Sequence, residues 1–421
     1  MKKILIKTNP FSIYYLKLNN IFLLLFSFFL PLRHNISGAF GFLLIILFFI
    51  DYKMIRSKIN NLKISFYFKV FVSIYFIHLL GFFYTSNFKY AFTDIEIKLP
   101  LIIFPIIIFG KGYIEEKLKK NILLSFVLGC FVSSIISFFY AYKKYLITKD
   151  VSSFLYEGLM YIMHSSYFSM YLTFSIFIIL FHLMKKDNDD KYKLINLGYF
   201  FMIIFFIVTI VFLSSRAGLI ALILSIFIFI FYLIKLKKYF TSFLILFFYM
   251  GSIFLMFNLV PKTVVRFKSL NSDRISYGES PKKIDINSKD LRLVILETSI
   301  KLFFERPFFG VGTGDIKDVL VKSYKKDNFI AGFQQKLNCH NQFFQFLIAF
   351  GIVGFLVIIF SLYYPVLISI KQGNYIYVYL IILISFNCLF ESMLETKAGV
   401  EFFSFFNSIL FIKTIKKNDL G

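Results

Sequence analysis

Long runs of apolar residues, separated by short polar segments, make up most of the chain from residue 16 to residue 412. A helix of about 20 apolar residues is long enough to cross the roughly 30 Å hydrocarbon core of a bilayer. We therefore predict an all-α, polytopic integral membrane protein with about twelve transmembrane helices. The predicted spans are residues 16–32, 36–50, 64–84, 97–110, 121–140, 165–184, 194–213, 217–234, 239–258, 341–364, 374–393 and 398–412.

One polar segment is much longer than the others and divides the predicted membrane domain. Residues 1–258 are predicted to form a membrane domain with nine spans, and residues 341–421 a second membrane part with three. Residues 259–340 form a long loop between them, and residues 272–289 within it have the composition of a flexible linker.

Two helices are predicted in the second half of this loop. An amphipathic helix begins near Ser288 or Asp290 and ends before Pro307. The glycine-rich turn that follows lacks a preceding strand, and its spacing fits neither a dinucleotide-binding motif nor a P-loop. Asp315 is predicted to cap a second helix that ends near Lys326.

Charge gives the predicted orientation. The chain is 58% hydrophobic with a mean hydropathy of +0.76, and its 47 Lys and Arg exceed its 23 Asp and Glu. In a membrane protein this excess predicts basic cytoplasmic loops rather than nucleic-acid binding. With the N-terminus inside, the inner segments hold about three times as many Lys and Arg as the short outer loops. Both termini are therefore predicted in the cytoplasm, and the long loop in the periplasm.

The N-terminal apolar run, the cysteines and the histidines each lead to one expectation. The first run has no small-residue cleavage site, so we expect it to remain as a signal anchor. Cys130, Cys339 and Cys388 are scattered, so we predict no disulfide framework. The five histidines show no HxxxH or HExxH spacing, so we predict neither a metal site nor a cofactor.

Arginine is rare in this chain and is unevenly placed. All arginines except Arg56 lie on the predicted outer side, and they are Arg33, Arg216, Arg266, Arg274, Arg292 and Arg306. The planar guanidinium binds phosphate in a bidentate manner, whereas lysine acts as a point charge. The distribution favours an outward-facing phosphate ligand, although lysine enrichment in the inner loops would produce the same counts.

Two arginines are the main candidates for binding this ligand. Arg216 lies between two spans with almost no loop, where it either anchors a helical hairpin or binds an anion. Arg292 lies in the first turn of the predicted loop helix, where a cation is unfavourable unless an anion is bound nearby; otherwise it is a solvated surface charge. Arg306 and Lys301 are weaker candidates, because a cation near a helix C-terminus needs no ligand.

The candidate catalytic residue is His340. It lies at or just before the start of the tenth predicted span, where the helix dipole favours neutral imidazole, which can act as a general base. The neighbouring amide of Asn341 is a candidate substrate contact. A single interfacial histidine can also be structural, so the spacing alone leaves both interpretations open.

The predicted topology places Arg216, Arg292 and His340 on one side of the membrane. Two arginines and a neutral histidine at a bilayer surface suit a reaction on a lipid-linked phosphate or diphosphate. A transporter or flippase is the alternative from a different class. Transporters tend to have internal repeats and charged or broken helices at mid-membrane, and no repeated halves are visible here.

The order of these segments resembles the O-antigen ligase family, which shares its membrane fold with the polysaccharide polymerases of the O-antigen pathway. The resemblance rests on the order of the motifs around the long outer loop. The segments are His164–Phe168, Ser215–Gly218, Leu291–Leu293, Glu305–Gly314, His340–Phe346, Gly351–Gly354 and Phe390–Glu395 with Ala398–Gly399.

This resemblance implies a GT-C-like, metal-independent glycosyltransferase at the outer face of the bacterial inner membrane. It implies transfer of a glycan from undecaprenyl diphosphate to lipid A-core, with inversion at the sugar carbon. Arg216 and Arg292 would bind the diphosphate, and His340 would activate the acceptor hydroxyl. Val294 and Ile295 occupy a region where the family often has Trp, which this chain lacks. Relatives on this fold extend the glycan or attach it to protein, so the acceptor stays open.

Overall fold

The computed structural model describes residues 10–50, 52–184, 193–239, 242–243 and 288–415. Most of the predicted ninth span and the loop up to residue 287 lie outside these ranges. The α-helices are α1 (Pro10–Phe29), α2 (His34–Ile50), α3 (Tyr52–Ile64), α4 (Phe66–Phe82), α5 (Phe88–Lys98), α6 (Pro100–Lys111), α7 (Glu116–Thr148), α8 (Ser165–Met184), α9 (Lys193–Leu213), α10 (Arg216–Lys235), α11 (Ser288–Glu305), α12 (Ile316–Lys326), α13 (Ile330–Gln335), α14 (Gln342–Lys371), α15 (Tyr375–Cys388) and α16 (Lys397–Phe411).

Small elements complete the described part of the chain. Short 3-10 helices lie at Val151–Phe154, Tyr156–Gly158 and Met393–Glu395. Strands β1 (Ile114–Glu115) and β2 (Thr414–Ile415) form one short parallel pair. The described structure is otherwise helical, as the apolar runs predict.

Five described helices are long and apolar enough to cross a membrane. They are Glu116–Thr148, Ser165–Met184, Leu194–Leu213, Arg216–Lys235 and Gln342–Lys371. Ser57–Lys63 and Phe66–Phe82, bent by 78°, make a sixth if they are taken as one span. These helices support a polytopic membrane protein.

The prediction of about twelve spans is confirmed only in part. Each predicted span within the described ranges coincides with a helix, but several of these helices are short. Helix α6 has 12 residues and α15 has 14, which correspond to about 18 Å and 21 Å at 1.5 Å per residue. Hydropathy counts apolar residues in helices and in adjoining turns alike, so it does not establish how many helices cross the bilayer.

Helices α8 and α16 form the core of the bundle, because they are buried on all sides along most of their length. The ring centroid of Phe402 lies 4.6 Å from that of Tyr171, and the centroid of Phe406 lies 5.2 Å from that of Phe174. Each such aromatic pair contributes about 0.5–1.5 kcal/mol beyond the burial of its surface. This packed centre holds the polar segments at both ends of α8 and α16 in fixed positions.

The glycine-rich turn after α11 binds to a break in α14. At Gly351 the backbone adopts φ 61° and ψ −164°, which interrupts the helix and leaves carbonyl groups without helical partners. The N–H groups of Val311 and Gly312 donate to the carbonyls of Ile348 and Ala349, both at 2.9 Å. A Cβ at Gly351 would lie 2.3 Å from the backbone of the turn, so this contact requires glycine. The predicted tight turn therefore packs against a membrane helix.

The two predicted loop helices are present with nearly the predicted bounds, as α11 and α12. The capping role predicted for Asp315 is wrong. Its side chain makes no cap bond to α12; its carboxylate accepts the N–H groups of Ser86 and Asn87, each at 2.7 Å. Tertiary packing brings these two donors, which precede α5, to Asp315 from a distant part of the chain.

Candidate active site

His340 lies in a short segment just before α14, and Glu391 orients its ring. The residue adopts a left-handed backbone conformation with φ 45°, and its N–H donates to Oδ1 of Asn338 at 3.0 Å. Its Nδ1 lies 3.3 Å from Oε2 of Glu391. When Nδ1 carries the proton and donates it to Glu391, Nε2 has the lone pair that can accept a proton. The side chain is 31% exposed, so substrate can reach it.

Asn341 fixes the position of His340 through backbone contacts. Its Oδ1 accepts the N–H groups of Phe343 and Phe344, at 2.9 and 3.2 Å, and so caps α14. Its Nδ2 donates to the carbonyl of Leu389 at 3.2 Å. These bonds give Asn341 a structural role, and its contact with substrate stays a prediction.

The segment that carries Glu391 also packs on the start of α8. The hydroxyl of Ser166 donates to Oε1 of Glu391 at 3.5 Å, and the hydroxyl of Tyr167 donates to the carbonyl of Ser392 at 3.4 Å. The N-terminal end of α8 therefore lies beside the His340–Glu391 pair. We call this end of the helix bundle the His340 end.

Arg216 also lies at the His340 end. It is the first residue of α10, whose N-cap Ser215 accepts the N–H of Gly218 at 3.2 Å. A Cβ at Gly218 would lie 2.3 Å from Cβ of Ser169, so α10 approaches the first turns of α8 closely. The half-buried Arg216 is thereby placed next to the helix whose first turn contacts Glu391.

Arg292 lies on α11, the loop helix that packs against α14. On α11, Ser299 lies beside the thiol of Cys339, the residue before His340. Arg292 precedes Ser299 by seven residues, so the two lie on the same helix face, about 10 Å apart along the axis. The side chain of Arg292 is exposed. Arg292 therefore lies near the start of α11, at the end away from the turn that binds the Gly351 break.

Arg306 lies at the other end of α11, beside the turn that binds the Gly351 break. Fourteen residues separate it from Arg292, which corresponds to about 21 Å of helix. Ser299 lies midway between the two arginines, seven residues from each, so the spacing along the helix is the same for Arg292 and Arg306. The side chain of Arg306 is exposed. Its contact with substrate stays a prediction.

A buried ionic network lies directly behind His340. The amide Nε2 of Gln342 donates to Oε1 of Glu395 at 2.9 Å, and Oε2 of Glu395 accepts Nζ of Lys98 at 3.0 Å. Lys98 also pairs with Asp94. Oε1 of Gln342 in turn accepts the N–H of Leu394 at 2.6 Å, so the first residue of α14 is fixed to the Glu391–Glu395 segment.

The pKa values of the two carboxyl groups in this network, Asp94 and Glu395, are shifted in opposite directions. Burial raises the pKa of Asp94 to about 7, although the ammonium group of Lys98 opposes the shift. Burial also acts to raise the pKa of Glu395, but Lys98 and the Gln342 amide outweigh it and lower that pKa. Glu395 is therefore the stable counter-charge of Lys98, and the network keeps a low net charge.

Sequence reasoning missed Glu391, Glu395 and Lys98 as parts of this site. The sequence pattern singles out none of the three, and the two glutamates enter it only within the segment Phe390–Glu395. One signal pointed to them, because three glutamates fall within residues 391–401 in a chain whose apolar segments carry few charges.

The cysteines and the acidic residues do not form an evident metal centre in the described part of the chain. No group of three or more His, Cys, Asp or Glu side chains there has the geometry to hold a metal ion. Cys130, Cys339 and Cys388 are free and buried. Burial raises the pKa of the Cys339 thiol to about 12, so this neighbour of His340 stays protonated.

The family model described as O-antigen ligase matches residues 201–359, which is less than half of the chain. The matched segment contains Arg216, Arg292, Arg306, His340 and Asn341. No curated protein matches the sequence. The match confirms the resemblance to an O-antigen ligase-like family. It supports a membrane enzyme that transfers glycans by a reaction of the ligase or polymerase type.

Proposed function

We propose that the chain transfers a glycan from undecaprenyl diphosphate to a hydroxyl of lipid A-core, because its residues 201–359 match the family model described as O-antigen ligase. The observation that carries this proposal is the His340–Glu391 pair, with Nδ1 3.3 Å from the carboxylate. It lies at the end of the bundle where Arg216 is also found, and Arg292 belongs to the loop helix that packs against α14.

His340 acts as the general base of the proposed reaction. The acceptor hydroxyl oxygen attacks the anomeric carbon, and its proton passes to Nε2 of His340. The bond between the anomeric carbon and the diphosphate oxygen breaks, and the diphosphate leaves with the bonding electrons. The configuration at this carbon inverts. Glu391 holds the ring in the required tautomer and stabilises the imidazolium, which then releases its proton to water.

Arg216 and Arg292 bind the diphosphate and neutralise the charge that develops as it leaves. Arg216 approaches from the helix bundle and Arg292 from the loop helix α11, so the diphosphate sits between two independent elements. Their guanidinium groups remain charged at any physiological pH, so the binding needs no metal ion. Metal independence is part of the proposal.

The proposed location is the bacterial inner membrane, with both termini in the cytoplasm and the His340 end facing the periplasm. The excess of Lys in the predicted inner segments supports this orientation. The proposed partners are the lipid-linked donor, the hydroxyl acceptor and the surrounding membrane lipids, with no nucleic acid.

Reconstitution of the full chain in proteoliposomes tests the function and the acceptor together. A synthetic undecaprenyl-diphosphate glycan is supplied with lipid A-core, with a second copy of the glycan donor, or with a hydroxyl-bearing peptide. Transfer to lipid A-core supports the ligase. Extension of the glycan identifies a polymerase, and modification of the peptide identifies a protein glycosyltransferase. Movement of the lipid-linked glycan across the bilayer without transfer would overturn the proposal in favour of a flippase.

A further inference from the structure

A second polar site lies near the His340 end, where α2, the α5–α6 junction and α16 meet. It is a cavity of about 400 Å³, whose polar lining comes from His34, Asn35, Glu96, Lys397 and Glu401. We call it the Glu401 cavity. Its volume falls in the range of about 300–1,000 Å³ that is usual for small-molecule sites.

Glu401 is the unusual member of this lining. Its side chain is 7% exposed, on a helix that is otherwise buried among apolar side chains. Its Oε2 accepts the hydroxyl of Ser37 at 2.9 Å, and Nδ1 of His34 lies 3.7 Å from the same oxygen. Among the described residues, Oε1 accepts no hydrogen bond. Because Glu401 lines the cavity, this oxygen is available to accept a hydrogen bond from a ligand donor.

The shape of the cavity leaves this oxygen accessible. Gly38 lies opposite Oε1, and a Cβ added there would lie 3.7 Å from that oxygen. A larger side chain at this position would fill the space in front of the carboxylate. The apolar side of the cavity, formed by Ile97, Pro100 and Ile103, faces the polar groups and can contact C–H surfaces of a ligand.

The charges of the lining select against ionic ligands. Glu96 and Glu401 repel an anion such as phosphate, and the cavity contains no arginine. Lys397, together with His34 when protonated, offsets the attraction of these two carboxylates for a cation. A carboxylate, an amide, an imidazole and an ammonium group together offer several acceptors and donors. An uncharged ligand with many hydroxyl groups and an apolar face fits this set best.

The Glu401 cavity is connected to the candidate active site through one short segment. Within residues 391–401, Glu391 pairs with His340, Glu395 with Lys98, and Glu401 with His34. Along the chain, Lys98 falls between Glu96 and Pro100, and both of these residues line the cavity. The cavity and His340 are thus held together by the same backbone.

We propose that the Glu401 cavity binds an uncharged sugar unit of a glycan substrate, away from the sugar that reacts. This inference rests on the proposed function, because it takes the ligand to be part of a glycan. Hydroxyl groups of the sugar donate to Oε1 of Glu401, and Ile97 and Ile103 contact its C–H face. The cavity would therefore determine which repeating units the enzyme accepts.

A binding experiment tests the cavity without any transfer reaction. The chain contains no Trp, so Leu99→Trp at the 38% exposed rim position introduces a single indole. The full chain in nanodiscs is titrated with methyl glucoside, methyl galactoside and methyl N-acetylglucosaminide, and with glucosamine and glucuronate as charged probes. A saturable fluorescence change with a neutral glycoside, weakened at least about tenfold by Glu401→Gln, supports the proposal. No saturable change with any neutral glycoside, or the same change in Glu401→Gln, would overturn it.

Transfer kinetics then distinguish donor from acceptor. Glu401→Gln and the rim variant Lys397→Gln should raise the KM for one glycan substrate about tenfold without changing kcat. A raised donor KM assigns the sugar unit to the donor, and a raised acceptor KM assigns it to the acceptor. Glu116→Gln, an exposed glutamate at the opposite end of the bundle, is the matched control. An unchanged KM for both substrates contradicts the inference. Absence of transfer by the unmodified chain would instead contradict the proposed function, and the glycoside titration would still decide the cavity.

Discussion

His340 and His34 each lie beside a glutamate from residues 391–401, but the two pairs are built differently. At the first pair, Glu391 lies 3.3 Å from an imidazole that is 31% exposed. At the second pair, the carboxylate of Glu401 is buried, with His34 at 3.7 Å. An accessible imidazole held by a carboxylate suits proton transfer, whereas a buried carboxylate facing a cavity suits binding. In both pairs the imidazole is the more exposed partner, and the pairs differ in the carboxylate, which is 19% exposed in Glu391 and 7% exposed in Glu401.

Removal of each imidazole should give the largest difference between the pairs. His340→Ala should lower kcat for glycan transfer at least about 100-fold, because the general base is lost. His34→Ala should keep kcat within about tenfold, because His34 does not face the reacting atoms. Initial rates in proteoliposomes measure both effects, and membrane insertion should be equal for the two variants. Full activity of His340→Ala would refute its role.

Removal of an arginine should weaken the binding of the diphosphate group of the donor. Arg292→Ala should lower kcat/KM for the donor about 10- to 150-fold, which corresponds to about 1.5–3 kcal/mol for hydrogen bonds to a charged group. Arg292→Lys should recover only part of this loss, since lysine lacks the bidentate geometry. Arg306→Ala, at the other end of α11, is measured beside it. A larger loss in Arg306→Ala than in Arg292→Ala would contradict the choice of Arg292 as the main diphosphate ligand on α11.

Neutralising each glutamate should affect a different kinetic constant. Glu391→Gln should lower kcat about tenfold with little change in either KM, because the ring of His340 loses its orienting carboxylate. Glu391→Asp should recover part of this kcat. Glu401→Gln should instead change KM alone, as described above. A change in KM without a change in kcat for Glu391→Gln would remove the distinction between the two pairs.

Removal of divalent ions should have the smallest effect. Because the proposed diphosphate ligands are guanidinium groups, a chelator should leave the initial rate unchanged. The rate is measured before and after treatment with EDTA, with an added excess of Mg²⁺ as the reversal control. Strong inhibition that Mg²⁺ reverses would show that the arginines do not act alone.

The sequence is informative where a pattern is local. The bounds of α11 follow from capping residues and an apolar face that ends before Pro307, and the turn after it follows from its glycines. The position of His340 follows from the start of an apolar run. These features depend on neighbours within a few residues, so hydropathy and propensity are sufficient to predict them.

Features that depend on distant partners were not predictable in this way. Glu391 meets His340 across 51 residues, and Lys98 meets Glu395 across 297 residues. Hydropathy indicates that a residue is near the membrane surface, but not which charge it will face. Asp315 shows the same limit, since its sequence position suggests a helix cap while packing gives it two backbone donors from the α4–α5 connection.

The hydrogen bonds between the glycine-rich turn and the Gly351 break set the register of α11 relative to the membrane. A helix advances 1.5 Å and rotates about 100° with each residue. Because α11 is fixed at its C-terminal end, insertion of one residue between Arg292 and Ser299 would rotate Arg292 by about 100° away from the face of Ser299. An insertion before Ser288 would leave this orientation intact. The number of residues in α11 is therefore as important for the position of Arg292 as the identity of any side chain within it.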